Sequence, residues 1–160
     1  MDIPDLPPDV RFDRLPQTSE ASDFAFEVKR AAMGPHIMVR WGWDETFQRN
    51  FHEQRFRDTP LSRIVFQGQA VGTVALMALA NHLRLDEFYL LPAHQGQGLG
   101  TRILSHCLAI ADACGMPLRL RYLKWNPVGS LYRRHGFTVI DESDIHFIME
   151  RQPGEASLVS

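Results

Sequence analysis

Residues 83 to 123 leave this chain few folds to choose from. Leu83 to Leu91 reads as a strand stopped by Pro92, which has no N–H to offer a sheet ladder. Leu99, Ile103, Leu104, Cys107, Leu108, Ala111 and Cys114 then recur on one helical face across Gly98 to Cys114, and Gly115 is a natural C-cap. Pro117 to Leu123 reads as a further strand. Two strands of one sheet joined by a crossover helix run parallel. The remaining elements have to be arranged around that βαβ unit.

Upstream, Val10, Phe12 and Leu15 alternate as a short opening strand. Phe24, Phe26, Val28, Ala31 and Ala32 fit a helix over Ser22 to Met33, capped by Ser22 or Asp23, and Gly34-Pro35 is expected to break it. A second helix begins at Asp44, an acceptable N-cap, and carries Phe47, Phe51 and Phe56. Val39 to Trp43 then forms an aromatic connection between the two helices. Ile64 to Phe66 and Val71 to Met77 read as a hairpin turning at Gly68-Gln69. Downstream come a short helix over Val128 to His135, closed by Gly136, and strands at Phe137 to Ile140 and Ile145 to Met149. The predicted fold class is α/β, with a mixed, mostly antiparallel central sheet and helices on both faces. One domain is expected over residues 1–160, with flexible ends at 1–8 and 153–160.

Composition excludes several classes. With 160 residues, 44% of them apolar, one core suffices without staples. Cys107 and Cys114 fall about two turns apart on one helix, too far for a disulfide, and read as reduced thiols of a cytoplasmic protein. Neither has neighbours at zinc-ligand spacing, and His36, His52, His94, His106, His135 and His146 share none, so no metal is implied. Residues 1–9 lack the basic-then-apolar order of a secretory signal, and the run Ala70 to Ala80 falls short of the roughly 20 residues that cross a bilayer. Net charge is −2 with scattered basic residues, which argues against a nucleic-acid partner. Arg119, Arg121, Lys124, Arg133 and Arg134 are expected to form one patch suited to a phosphorylated cofactor.

The chemistry lies in the turn Pro92-Ala93-His94-Gln95-Gly96-Gln97-Gly98-Leu99-Gly100-Thr101. Glycines let backbone approach a ligand, and the unpaired N–H groups of a helix N-terminus suit pyrophosphate oxygens. The spacing is not G-x-G-x-x-G with a later acidic residue, and no Gly-Lys-Ser/Thr occurs, so nicotinamide-dinucleotide and ATP readings lose ground. Gln95, Gly98 and Gly100 instead fill Q/R-x-x-G-x-G/A, and the stretch resembles the signature of the GNAT superfamily of acetyl-CoA-dependent N-acetyltransferases. Asn126, followed by Tyr132-Arg-Arg-His-Gly136-Phe137, resembles that family's second landmark. The resemblance extends from about residue 9 to residue 151.

What the resemblance implies is specific. The fold would be the GNAT (acyl-CoA N-acyltransferase) fold, with its parallel fourth and fifth strands, 83–91 and 117–123, splayed apart. The pantetheine arm of acetyl-CoA would lie in the gap on the backbone of Phe88 and Leu90, and the Leu90 N–H would polarise the thioester carbonyl. Gln95, Gly96, Gln97, Gly98, Leu99, Gly100 and Thr101 would hold the pyrophosphate. Asn126 would touch the cofactor arm, Tyr132 would protonate the departing thiolate, and Arg133 or Arg134 would reach the 3′-phosphate. Direct attack of an amine on a thioester fits these types, because oriented N–H donors stabilise the oxyanion and a weak acid serves the leaving group. A base must also neutralise the amine; Glu87 is the first candidate and Asp86 the second, and strand alternation lets at most one of them face the cleft.

The acceptor is left open between a small amine, an amino acid, an antibiotic and a peptide amine. Trp41, Trp43, Asp44 and Glu45 would border its site and favour a cationic molecule. Cys107 lies on the apolar stripe and reads as core rather than as a nucleophile. The rival reading is a non-catalytic acyl-CoA-binding regulatory module, and an acetyltransferase of aminoacyl-tRNA is disfavoured by the near-neutral charge. A homodimer is the default assembly.

Overall fold

The computed structural model describes residues 1–154. In chain order its elements are β1 (Val10–Arg14), α1 (Ser19–Trp41), α2 (Glu45–Asp58), β2 (Leu61–Phe66), β3 (Gln69–Ala78), β4 (Leu83–Leu90), a 3₁₀ turn (Pro92–His94), α3 (Leu99–Cys114), β5 (Leu118–Leu123), α4 (Gly129–Arg134), β6 (Thr138–Glu142) and β7 (His146–Arg151). The strands form one sheet in the order β1-β2-β3-β4-β5-β7-β6. Only β4 and β5 pair in parallel; the other neighbours are antiparallel. This is the mixed α/β architecture, helices on both faces, that the sequence leads one to expect.

The two faces are sorted by strand alternation. Leu76 of β3 pairs with Leu85 of β4, and both join the core that includes Ile103, Leu104, Cys107 and Ala111 of α3. Full burial of each such Leu or Ile contributes about 1.5–3 kcal/mol. The next pair, Ala75 with Asp86, looks to the opposite face, where Ala75 packs with Ala21 and Ala25 of α1 and Phe56 of α2. Arg84 and Arg119, paired across the parallel ladder, share the face of Asp86.

α3 matches its prediction: Gly98 and Gly115, at φ +84° and +66°, flank it, and the Gly115 N–H donates to Ala111 and Asp112 carbonyls. α1 does not. It is capped by Thr18, whose Oγ1 accepts from the Ala21 N–H at 3.2 Å, and it runs through Gly34-Pro35 to Trp41. Proline forfeits one helical hydrogen bond and crowds the carbonyl four residues back. Packing beyond it outweighs that loss: Ile37 is buried, and the His36 carbonyl accepts from Trp125 Nε1 at 2.8 Å. The expected aromatic connection thus shrinks, with Val39, Arg40 and Trp41 inside the helix.

The β2–β3 hairpin turns at Gln67-Gly68, one residue earlier than predicted, with φ +51° and +80°, signs that match the twist of the flanking strands. Residues 1–8, expected to be a flexible end, are docked: Ile3 is buried and the Asp5 carboxylate accepts from the Phe12 N–H at 3.1 Å. Of the expected flexible end 153–160, residues 155–160 lie outside the described residues.

Candidate active site

β4 and β5 pair only at Leu83–Leu118 and Arg84–Arg119 and then separate. A bulge in β4 shapes the gap. Ala75 faces Asp86 and Thr73 faces Tyr89, so Val74 stands opposite two residues, Glu87 and Phe88. Glu87 has φ +49°, and Thr73 Oγ1 donates to its carbonyl at 3.0 Å. Past the bulge, the Leu91 N–H donates to the Val71 carbonyl at 2.8 Å. Alternation back from Leu91 therefore turns the N–H of Leu90 away from β3 and toward the gap.

The gap opens into a cavity of about 810 Å³. Phe88, Asn126 and Tyr132 line it, together with Lys29 and Trp41 of α1 and Arg55 of α2. Tyr132 is buried against Tyr122 and Phe137, each with ring centroids 5.7 Å away. Burial pushes its hydroxyl up to about 12, with Tyr122 adding to the shift, so it carries its proton throughout the ordinary pH range. That hydroxyl makes no hydrogen bond to the described residues. α4 stands close to β5 because Gly129 lies against Tyr122; a Cβ there would meet the Tyr122 hydroxyl and come within 2.8 Å of Cζ. Asn126 braces the entry to α4, its Oδ1 accepting from the Val128 N–H at 3.1 Å.

The glycine-rich turn is tied down by its glutamines. Gln95 Nε2 donates to the Leu90 carbonyl at 2.8 Å, and Gln97 Nε2 to the Ala93 carbonyl at 3.0 Å. Gly98 caps α3 without a side-chain oxygen, which leaves the N–H groups of Leu99, Gly100 and Thr101 without intrahelical acceptors. Arg133 Nη2 lies 3.5 Å from the Tyr122 hydroxyl, and Arg134 Nε donates to the Ser130 carbonyl at 3.4 Å. The five basic residues do not make one free patch: Arg119 is paired with Glu150 at 2.6 Å and Lys124 with Glu142 at 3.4 Å. Cys107 is buried, and burial pushes its thiol up to about 12, which leaves it inert; Cys114 is exposed and also unbridged.

Both Asp86 and Glu87 reach the cavity, contrary to simple alternation, because the bulge between β3 and β4 interrupts the two-residue period. Asp86 is held by Arg84 Nε at 2.7 Å. Glu87 Oε1 accepts from Arg55 Nε at 2.7 Å and lies 3.8 Å from Lys29 Nζ. Burial alone would raise the Glu87 carboxyl, but the two cations outweigh it and hold its pKa below the ordinary value. Burial lowers Lys29, against the raising influence of Glu87. Sequence reasoning missed Lys29 and Arg55. Lys29 falls one helical turn after Ala25, on a stripe with buried Ala21, and that spacing was the available signal.

The segment around Trp43 is committed to structure. Asp44 Oδ1 caps α2 by accepting from the Phe47 N–H at 3.0 Å. Glu45 accepts from Trp43 Nε1 at 3.1 Å and pairs with Arg30. Trp41 lines the cavity with its edge toward Trp125, centroids 5.3 Å apart. Of the segment expected to border the acceptor site, Trp41 and Asp44 line the cavity, whereas Trp43 and Glu45 are engaged with each other and with Arg30. Among the described residues no group of three or more His, Cys, Asp or Glu is placed to hold a metal, and no helix is long and apolar enough to cross a membrane.

Comparison with known proteins follows the same outline. The family model for an acetyltransferase (GNAT) domain matches residues 61–139. No curated protein matches the chain by sequence. Among solved structures, the PaiA N-acetyltransferase of Thermoplasma acidophilum, in complex with coenzyme A, superposes with a TM-score of 0.71 at 20% identity, over 91% of this chain and 99% of that one. The ribosomal-protein-S18-alanine N-acetyltransferase of Escherichia coli gives 0.65 at 16% identity, over 91% and 94%. N-acetylglutamate synthase of Neisseria gonorrhoeae, complexed with coenzyme A and L-arginine, gives 0.57 at 18% identity, over 90% of this chain and 33% of that one. At such identities the likeness is one of fold.

Proposed function

The chain belongs to the GNAT acetyltransferase family, and on that footing we propose that it transfers an acetyl group from acetyl-CoA to a primary amine by direct attack within a ternary complex. One observation carries the reading. The N–H of Leu90, past the bulge, turns toward a gap whose cavity is lined by Phe88 and by the buried, protonated Tyr132.

Acetyl-CoA supplies the activated acyl group and a thiolate as leaving group. Phe88 and Leu90 would hold its pantetheine amides as an added strand would, and the Leu90 N–H would face the thioester carbonyl, where negative charge grows as the amine attacks. The uncapped N–H groups of Leu99, Gly100 and Thr101, with Gln95, Gly96, Gln97 and Gly98 shaping the approach, would take the pyrophosphate. Asn126 would meet the pantetheine arm, and Arg133 the nucleotide phosphate. As the new N–C bond forms and the C–S bond breaks, the Tyr132 hydroxyl would give its proton to the departing sulfur.

The amine must lose a proton to react. Glu87, lowered by Lys29 and Arg55, binds a proton poorly, so we assign it to holding those two cations in place and give deprotonation to water in the cavity. Asp86, held by Arg84, is no better placed. The free thiols fit a cytoplasmic setting.

The test is release of free thiol from acetyl-CoA across a panel of amines, with acetylated product followed in parallel. Amine-dependent thiol release matched one to one by acetylated amine is the expected result. Thiol release that needs no amine, or an acetyl group trapped on the protein itself, contradicts direct transfer.

A further inference from the structure

The cavity at the gap has a neighbour. On the α1–α2 face a second hollow of about 350 Å³ adjoins it, and Arg55, Asp86, Leu120 and Arg121 line both. The second hollow is dominated by guanidinium groups, those of Arg55, Arg84, Arg119 and Arg121. Three of them have carboxylate partners: Arg55 has Glu87 at 2.7 Å, Arg84 has Asp86 at 2.7 Å, and Arg119 has Glu150 at 2.6 Å. Lys29 shares Glu87 with Arg55. The Arg121 side chain makes no ion pair or hydrogen bond to any described residue. Five cationic side chains therefore meet four carboxylates across these two adjacent spaces, Asp44 of the cavity lining included, and of the two guanidinium groups that line both, Arg55 is paired and Arg121 is not.

Arg121 is the exposed position of β5, its side chain open to solvent at the rim of both spaces. β5 is an interior strand, between β4 and β7, and Arg121 sits opposite Ile148 on the face that carries Arg119 and Asp86. That is the face of α1 and α2, away from α3 and the turn assigned to the pyrophosphate. Its charge is felt inside: Arg121 adds to the lowering of both Lys29 and His146, after burial in each case. A site built this way attracts an anion, and a guanidinium with its fork free is matched to a carboxylate, which it can hold bidentately.

We propose that the acceptor is an amine that also carries a carboxylate, and that Arg121 is the residue that binds this carboxylate, leaving the amine to point toward Leu90 and Tyr132. The proposal rests on the acetyltransferase reading above and goes beyond it by naming the chemical class of the acceptor. It replaces the cationic acceptor expected from Trp41 to Glu45.

The experiment uses the whole protein and pairs each free amino acid with its own carboxamide, so that amine and side chain stay constant while the anion is removed. Thiol release is measured for wild type, Arg121→Ala and Arg121→Lys, and acetyl-CoA affinity is measured separately for all three by calorimetry. At least one amino acid is expected to react with a kcat/KM well above that of its amide. Arg121→Ala should raise the KM of that amino acid roughly 10- to 100-fold, the loss typical of one charge-assisted hydrogen-bonded contact, while leaving the amide and acetyl-CoA affinity unchanged. Arg121→Lys should recover part of the loss. Amides or polycationic amines reacting better than the acids, no amino acid reacting at all while acetyl-CoA binds, or an Arg121→Ala variant with unaltered KM would each overturn the proposal. Failure of all three proteins to bind acetyl-CoA would instead remove the transferase reading beneath it.

Discussion

Arg55 Nε and Glu87 Oε1 meet at 2.7 Å, tying helix α2 to the bulge of strand β4 beside the gap. With Lys29 Nζ 3.8 Å from the same oxygen, the carboxylate holds two cations contributed by two helices. Removing one partner of such a buried set leaves charge without compensation, which is costlier than the pair is stabilising. Glu87→Gln should therefore lose on the order of 2 to 4 kcal/mol of unfolding free energy, read from denaturant titration. A loss below half a kcal/mol would show that the cations find water instead.

The same residue sets a pH dependence. Its folded pKa is lowered from 4.5, so its contribution is present above that value and fades as pH falls through the lowered one. Between neutral pH and pH 3, wild type should lose more stability than Glu87→Gln, and the two curves should converge at the acid end. Parallel curves over that window would contradict the ion-pair account.

Tyr132→Phe separates chemistry from packing. The hydroxyl makes no protein hydrogen bond, so the variant should unfold within about half a kcal/mol of wild type, as a change that breaks no partnered group does. Its kcat should nevertheless fall roughly 10²- to 10⁴-fold, the usual worth of a positioned general acid. Unchanged acceptor-dependent turnover would take Tyr132 out of the mechanism.

Gly129 is small because Tyr122 occupies the space where a Cβ would stand. Gly129→Ala should cost about 1–3 kcal/mol, the range for an overpacked contact, and should displace α4 together with Tyr132. Pairing it with Tyr122→Phe relieves the hydroxyl collision but leaves Cζ at 2.8 Å, so a double-mutant cycle should recover only part of the loss. Full additivity would mean that the two residues do not touch as described.

What was legible in the sequence was local. Helix α3 announced itself because its apolar period, its preceding glycine turn and its Gly115 cap all act within a few residues of one another. The parallel pairing of β4 and β5 followed from that helix by topology alone. What was not legible depends on distant parts. α1 survives Pro35 because Ile37 and the carbonyl of His36 are engaged by other elements, Trp125 among them. The bulge places a glutamate, not a glycine, at φ +49°, and no residue near Glu87 signals it. Lys29, Arg55 and Glu87 come from three elements, and the unpaired state of Arg121 is visible only once every carboxylate around it has been assigned a partner.

The central claim is that acetyl-CoA occupies the gap between β4 and β5, and thermal unfolding with and without it tests this most directly. A ligand bound only by the native state, at 100 times its Kd, adds about 2.7 kcal/mol, which for a domain of this size raises Tm by roughly 5 to 10 °C. The account predicts that rise with acetyl-CoA for wild type and for Tyr132→Phe alike, since the latter loses a proton donor and not the binding surface. No rise for either protein at millimolar acetyl-CoA would contradict it.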